Sequence, residues 1–473
     1  MKAKLSKPPR RRRGALRRTV LGIALATGLC GAVQAQLGLS RVAGAVSGAT
    51  TTLTQQLQGT AGAALDQVDA AAQTALRAAR LRTLLANNRD TLETDPNGAP
   101  IVRSRVLAIA PNDVALAAAR AAGFAVLEDT TLDGVGLRVI VLAVPGQLST
   151  AAALRRLRAL DPAGSYDYDH IYTESGASGP AGGSSPVGGR EGAARAESVT
   201  ASASASGGAA VRVGLIDGGV DAAHPAFQGM PVQRWGCDGQ SIPNAHGTAV
   251  ASLLVGQAGA FHGAAPGAQL FAADVYCGAP TGGAVLSIAQ ALGWLAQQQV
   301  PVINISLVGP ANTLLEQTVR ALQARGHLIV AAVGNDGPAA PPLYPASYPG
   351  VIGVTGVDAH QHVLLEAARG KQVRFAAPGT DMAAAAPGGA YVSVRGTSFA
   401  APIVAGLLAL RLATPERNAA DAAVAALAAS AVDLGSRGVD KTYGCGLVGE
   451  SARIALAAVG ISSGGATPTA LRD

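Results

Sequence analysis

Apolar and polar positions alternate in four distinct ways along the 473 residues. From Val46 to Leu85, Leu53, Leu57, Leu65, Val68, Leu76 and Leu81 recur at roughly helical spacing, so residues 36–99 read as a helical segment. From about Arg103 the period changes. Val106 to Ala110 reads as a strand, Pro111 to Ala122 as a helix, and Phe124 to Asp129 and Leu137 to Ala143 as strands. A helix from Ser149 to Leu160 and a strand from Tyr166 to Ile171 complete a split βαβ order over residues 100–173. Residues 174–209 are dominated by Gly, Ser and Ala; they bury too little apolar surface to order themselves and read as a linker.

Beyond Val211 the apolar runs become continuous. Strands are predicted at Val211–Ile216, Gln269–Val275, Val302–Ser306, His327–Val333 and Val351–Val357, and helices at His246–Gly256, Val285–Gln298, Leu314–Arg325 and Thr397–Leu412. Apolar strands joined by helices give the α/β class, with a mainly parallel sheet covered on both faces over residues 210–460 and a tail at 461–473. Ligands of such sheets sit beyond the carboxyl ends of the strands.

Composition agrees with a folded chain: 49% hydrophobic, 14% charged and 60 Gly. The net charge of +7 misleads, because nine basic residues lie between Lys2 and Arg18, leaving 28 Lys+Arg against 30 Asp+Glu. No nucleic-acid-binding body is implied. The basic start, the apolar run Thr19–Ala35 and its small-residue end Val33-Gln34-Ala35 read as a secretory signal over residues 1–35. A membrane association follows only if that segment stays uncleaved. A secreted, periplasmic or cell-envelope location is therefore expected. Cys30 leaves with the signal, and Cys237, Cys277 and Cys445 remain; an oxidising compartment permits one disulfide, Cys237–Cys277 being the favoured pair and three unpaired thiols the open alternative. Their spacing does not match a zinc site.

Three segments carry candidate chemistry. Asp217 in Leu215-Ile216-Asp217-Gly218-Gly219 closes a buried strand. His246 in Ala245-His246-Gly247-Thr248 opens an apolar helix, and Ser398 in Gly396-Thr397-Ser398-Phe399-Ala400-Ala401-Pro402 opens another. Singly, each reads as a turn or cap residue. Together, in the order Asp, His, Ser on an α/β pattern, they resemble the active-site signatures of the subtilases over about residues 210–455.

That resemblance implies a three-layer subtilisin-like domain and a serine endopeptidase acting on protein or peptide substrates. Ser398 is the implied nucleophile, His246 its base and Asp217 the residue orienting the base. Asn335, in Val333-Gly334-Asn335-Asp336-Gly337, matches the family's oxyanion donor. Ser306, Leu307, Val308 and Gly309 match the edge that binds extended substrate, although Val308 stands where the family has glycine. Leu343, before Tyr344-Pro345, matches the base of the primary pocket, which is then apolar. His224 matches a structural position, and Ala249 replaces a second histidine common in the family. No cofactor is required for the chemistry, and no acidic loop with calcium-ligand spacing stands out, so structural calcium stays open. Residues 100–173 resemble the family's propeptide, making this segment the chain's own partner. The rival expectation is a catalytically inactive peptide-binding envelope protein.

Overall fold

The computed structural model describes residues 77–174, 210–279 and 282–460. The expected signal, residues 36–76 of the helical segment, the linker from 175 to 209 and the tail 461–473 lie outside them, as does Cys30.

A helix over 77–87 (α1) leads into a first sheet of five strands. These are β1 (Leu92–Thr94), β2 (Pro100–Ile109), β3 (Ala125–Leu132), β4 (Leu137–Ala143) and β5 (Ser165–His170), all antiparallel. Helices α2 (Asp113–Ala121) and α3 (Thr150–Leu160) begin where Asn112 and Ser149 accept hydrogen bonds from Ala115 and Ala152, capping otherwise orphaned N–H groups. The split βαβ order is as the sequence predicts. Strand β1 is not: Leu92, Glu93 and Thr94 fall in the stretch read as helical, and they are extended because they pair with Val102, Ile101 and Pro100.

After a two-residue strand β6 (Thr173–Glu174) the second sheet follows. Its strands include β7 (Arg212–Asp217), β8 (Val232–Trp235), β11 (Gln269–Asp274), β12 (Val302–Ile305), β14 (Leu328–Ala332), β15 (Ile352–Val357) and β16 (Val373–Pro378). Their order is β16-β15-β14-β12-β7-β11-β8, and every pair is parallel. Short pairs β9 (Gln257–Ala258) with β10 (Phe261–His262), and β17 (Met382–Ala386) with β18 (Ala390–Val394), lie outside it. From β7 the chain moves to one side for β8 and β11, then returns to the other for β12 onward. The switch lies beside β7, so the strand ends diverge there and leave a crevice.

Both faces of this sheet are buried. Val213, Leu215, Leu270 and Val330 join one core with helices α4 (Ala245–Val255) and α7 (Thr397–Ala409). Ile216, Phe271, Ile303 and Ile329 join a second core with α5 (Val285–Gln297) and α6 (Thr313–Ala324). Period-two alternation along each strand divides the apolar residues between these cores. Each buried Leu, Ile or Phe contributes about 1.5–3 kcal/mol relative to exposure. Leu107, Ile109, Val139 and Val141 of the first sheet also enter the second core, so that sheet lies on α5 and α6 while its other face packs on α2 and α3. The final helix α8 (Arg417–Ala429) covers the first core.

Cys237 and Cys277 are joined in a disulfide, and Cys445 is free. The bond ties the end of β8 to the loop after β11, which forms one wall of the crevice. Linking residues 40 apart restricts the unfolded chain. Cys277→Ser should lower unfolding stability by about 2–4 kcal/mol, read as a lower urea midpoint; an unchanged midpoint would mean the bond holds nothing.

Candidate active site

Asp217 ends β7 at the crevice, and its carboxylate is fully buried. The Gly218 N–H donates to Oδ1 at 2.7 Å. His246 is the second residue of α4. Asn244 caps this helix, its Oδ1 accepting from His246 N at 2.7 Å and Gly247 N at 3.0 Å. The helix start presses close to the end of β7: a Cβ on Gly247 would lie 2.1 Å from Gly218 O, so only glycine fits. This approach brings His246 Nδ1 within 2.8 and 3.1 Å of the two Asp217 oxygens. The other ring nitrogen, Nε2, is buried without a hydrogen-bond partner among the described residues.

Ser398 is the second residue of α7, where the helix dipole presents its positive end. The helix start is fixed from two sides. Thr397 N donates to Asn335 Oδ1 at 3.0 Å, and Thr397 Oγ1 accepts from Gly334 N at 3.2 Å. Ser306 Oγ donates to Ser398 O at 2.9 Å, and Ser398 Oγ donates to Ser306 O at 3.3 Å. The His246 ring lies 5.4 Å from that of Phe399. With its oxygen committed to Thr397, the Asn335 carboxamide has its NH₂ as donor. Leu343 packs against the neighbouring Gly334, where a Cβ would meet Leu343 Cδ1 at 2.6 Å.

Burial alone would lower the His246 pKa. The Asp217 charge and hydrogen bond, with a further push from Glu174, outweigh it and raise the value to about 9.

The subtilase family's sequence profile matches residues 208–446, which contain Asp217, His246, Asn335 and Ser398. The chain belongs to the subtilase family. It is similar to subtilisin DY of Bacillus licheniformis, at 33% identity over 253 residues, spanning 51% of this chain and 89% of the relative. Subtilisin BL of Lederbergia lenta is 36% identical over 212 residues, 43% of this chain and 76% of the relative. Among solved structures, fervidolysin of Fervidobacterium pennivorans, a keratinolytic enzyme related to subtilisin, aligns with a TM-score of 0.59 at 20% identity. That alignment covers 77% of this chain and 62% of fervidolysin, and it speaks to fold alone. The chain is thus a subtilase serine protease, and its mainly parallel sheet is the subtilisin-like α/β fold.

In this subtilase Leu307–Val308 form a strand, β13, and the chain's own β6 pairs with it antiparallel: Leu307 with Glu174 and Val308 with Thr173. On the opposite wall Ile171 bridges Ala284, and Tyr172 N donates to Gly283 O at 2.8 Å. Residues 171–174 therefore form the middle strand between two crevice edges. Tyr172 is completely buried; its hydroxyl donates to Pro310 O at 2.6 Å, and its ring occupies the space a Cβ on Gly309 would take. Val308 is itself buried, and Gly309 bridges Tyr344.

Strand β5 secures the approach to this segment. Asp167 Oδ2 accepts from Thr313 N at 2.7 Å, at the start of α6, and Asp169 Oδ1 accepts from Leu286 N at 3.2 Å, at the start of α5. Asn312 Nδ2 donates to Tyr168 O at 2.9 Å. Burial lifts the Asp169 pKa to about 6.

His224 holds a structural place, with Nδ1 accepting from Ala226 N and Nε2 donating to Ala390 O. Ala249 faces the first core. Sequence reading missed Tyr172, Glu174 and Asn244. Asn244 is an N-cap two residues before a singled-out histidine, a signal that could have found it.

Folding stability depends on pH through His246. Its raised pKa stabilises the folded form fully below about 6.5, and that contribution is lost as pH rises through about 9. The raised pKa of Asp169 acts in the same sense, its contribution fading as pH rises through about 6. The melting temperature of Ser398→Ala protein should therefore fall between pH 6.5 and 9. Asp217→Asn should flatten that slope. A melting temperature that rose over this interval would contradict the assignment.

Proposed function

We propose that this subtilase is a secreted endopeptidase that cleaves itself, with Ser398 as nucleophile, His246 as general base and Asp217 as the group that orients and stabilises the histidine. One observation carries the reading: the chain's own residues 171–174 lie in the crevice, with Thr173 and Glu174 paired as a strand with Val308 and Leu307. The next residue of that edge, Ser306, has its carbonyl 3.3 Å from Ser398 Oγ, so the paired edge leads toward the nucleophile. In this reading the bond that is cut is the one after Ser175. Residues 100–173 act as the propeptide, and the linker supplies the released end. The basic and apolar amino-terminal segment supports export; among the described residues no helix is long and apolar enough to cross a membrane.

The chemistry follows from the geometry. Neutral His246 takes the Ser398 proton at Nε2, the nitrogen free of Asp217, as Oγ attacks the carbonyl carbon. The negative oxygen that forms accepts from Asn335 Nδ2 and the Ser398 N–H. Imidazolium, held by Asp217, returns the proton to the leaving amine, and water then hydrolyses the acyl-enzyme by the same route. In the crevice-filled state the Ser398 hydroxyl donates to Ser306 O and must rotate toward His246 to react. With His246 pKa near 9, the base carries a proton at neutral pH, so this state is a resting one. Ser306, Leu307, Val308 and Gly309 bind extended peptide, and Leu343 lines an apolar pocket.

Mass spectrometry of amino termini tests this. Wild-type protein should begin at Gly176 or at trimmed sites beyond it, while Ser398→Ala should remain whole, a loss on the order of 10⁶-fold. Asn335→Ala should slow the cut about 10²–10³-fold. Cutting of Ser398→Ala at the same bond would assign the work to another protease.

A further inference from the structure

The crevice contains a charged group that the triad does not need. Glu174 is half-buried, and its carboxylate lies with a His246 nitrogen and an Asp217 oxygen in a cluster whose atoms all fall within 4.8 Å of one another. The Asn244 side chain hydrogen-bonds this carboxylate. Because Asn244 Oδ1 already accepts from His246 N and Gly247 N, and a carboxylate only accepts, the donor is Asn244 Nδ2. One side chain thus caps α4 with its oxygen and reads the crevice with its nitrogen.

We propose that the crevice selects an acidic peptide, with the carboxylate two residues before the cut bond read by Asn244, and that such a side chain binds firmly but slows the cut. This rests on the reading of residues 171–174 as a substrate segment cut just beyond them.

The forces act in opposite directions on binding and turnover. Burial, the largest effect, and the Asp217 charge raise the Glu174 pKa, whereas imidazolium at His246 and the Asn244 NH₂ pull the other way and favour the carboxylate. Attraction therefore requires the protonated histidine. A carboxylate at this position in turn favours that protonation, and the coupling is reciprocal. Protonated His246 cannot accept the Ser398 proton. An acidic segment is consequently held in the state least able to react, and it loosens as pH rises and the histidine loses its charge, leaving Glu174 facing Asp217. The other ionisable groups here come from the end of β11. Asp274 Oδ1 accepts from the Tyr276 and Cys277 amides, and the Tyr276 hydroxyl donates to Tyr172 O; neither supplies a second cation.

Two variants of the full chain separate charge from packing. Glu174→Gln keeps the shape and removes the charge. Asn244→Asp keeps the cap acceptor and replaces the donor with a carboxylate. In histidine-labelled Ser398→Ala protein, nuclear magnetic resonance titration should show the His246 midpoint lower by roughly one unit or more in Glu174→Gln. In protein with Ser398 intact, Glu174→Gln should be cut several-fold faster at pH 6–7. Its cut amino-terminal piece should separate from the remainder several-fold more readily in size-exclusion chromatography. Asn244→Asp should weaken retention of the wild-type segment, and Glu174→Lys should restore it in that background. An unchanged midpoint and retention in Glu174→Gln would overturn the proposal while self-cleavage stood. A lowered midpoint with no Ser398-dependent cut at any pH would instead overturn the reading of self-cleavage and uphold recognition of the carboxylate.

Discussion

The buried pair Asp217–His246 constrains everything around it. A carboxylate removed from water is costly unless its charge is matched and its oxygens are hydrogen-bonded. The match requires α4 to start almost in contact with the end of β7, which Gly247 permits and Asn244 secures. It also requires β7 to end inside the molecule at a point where the neighbouring strands diverge. Parallel strands with both faces covered by α4 and α7 on one side and α5 and α6 on the other provide such a point. Ser398 then arrives on α7, whose start is tied to Asn335 and Ser306.

The same crevice that gathers these groups has two backbone edges, at Gly283–Ala284 and Leu307–Val308. The segment Ile171–Glu174 satisfies both. Its first anchor is steric, Tyr172 against Gly309; its second is electrostatic, Glu174 against His246. Upstream, Asp167 and Asp169 meet the N–H groups at the starts of α6 and α5. The first sheet is therefore held both by apolar contact with those helices and by polar groups at their ends, and the crevice is filled as a consequence.

Much of this was legible in the sequence because buried parallel strands leave continuous apolar runs and the three reactive residues sit within dense local motifs. The strands and helices around Asp217, His246 and Ser398 appear within a few residues of their predicted places. What was not legible depends on pairing at a distance. Strand β1 is extended only because β2 lies beside it, and Thr173–Glu174 is a strand only because Leu307–Val308 offers an edge. The hairpin of β17 and β18 is built largely from alanine, which carries little strand signal. The favoured disulfide is present, but cysteine spacing left the thiol alternative open until the two loops were seen to meet. Asn244 and Glu174 are ordinary polar residues in sequence, and their significance comes from facing each other.

The most direct measurement is covalent labelling of the processed protein with a fluorophosphonate across a range of pH, with the modified residue identified by mass spectrometry. An activated Ser398 predicts a single adduct on that residue, formed faster as pH rises and His246 becomes neutral, and lost or greatly slowed in Asp217→Asn. Labelling of Ser398 at the same rate in wild type and Asp217→Asn, or no adduct on Ser398 at any pH, would contradict a catalytic role for the Asp217–His246–Ser398 arrangement.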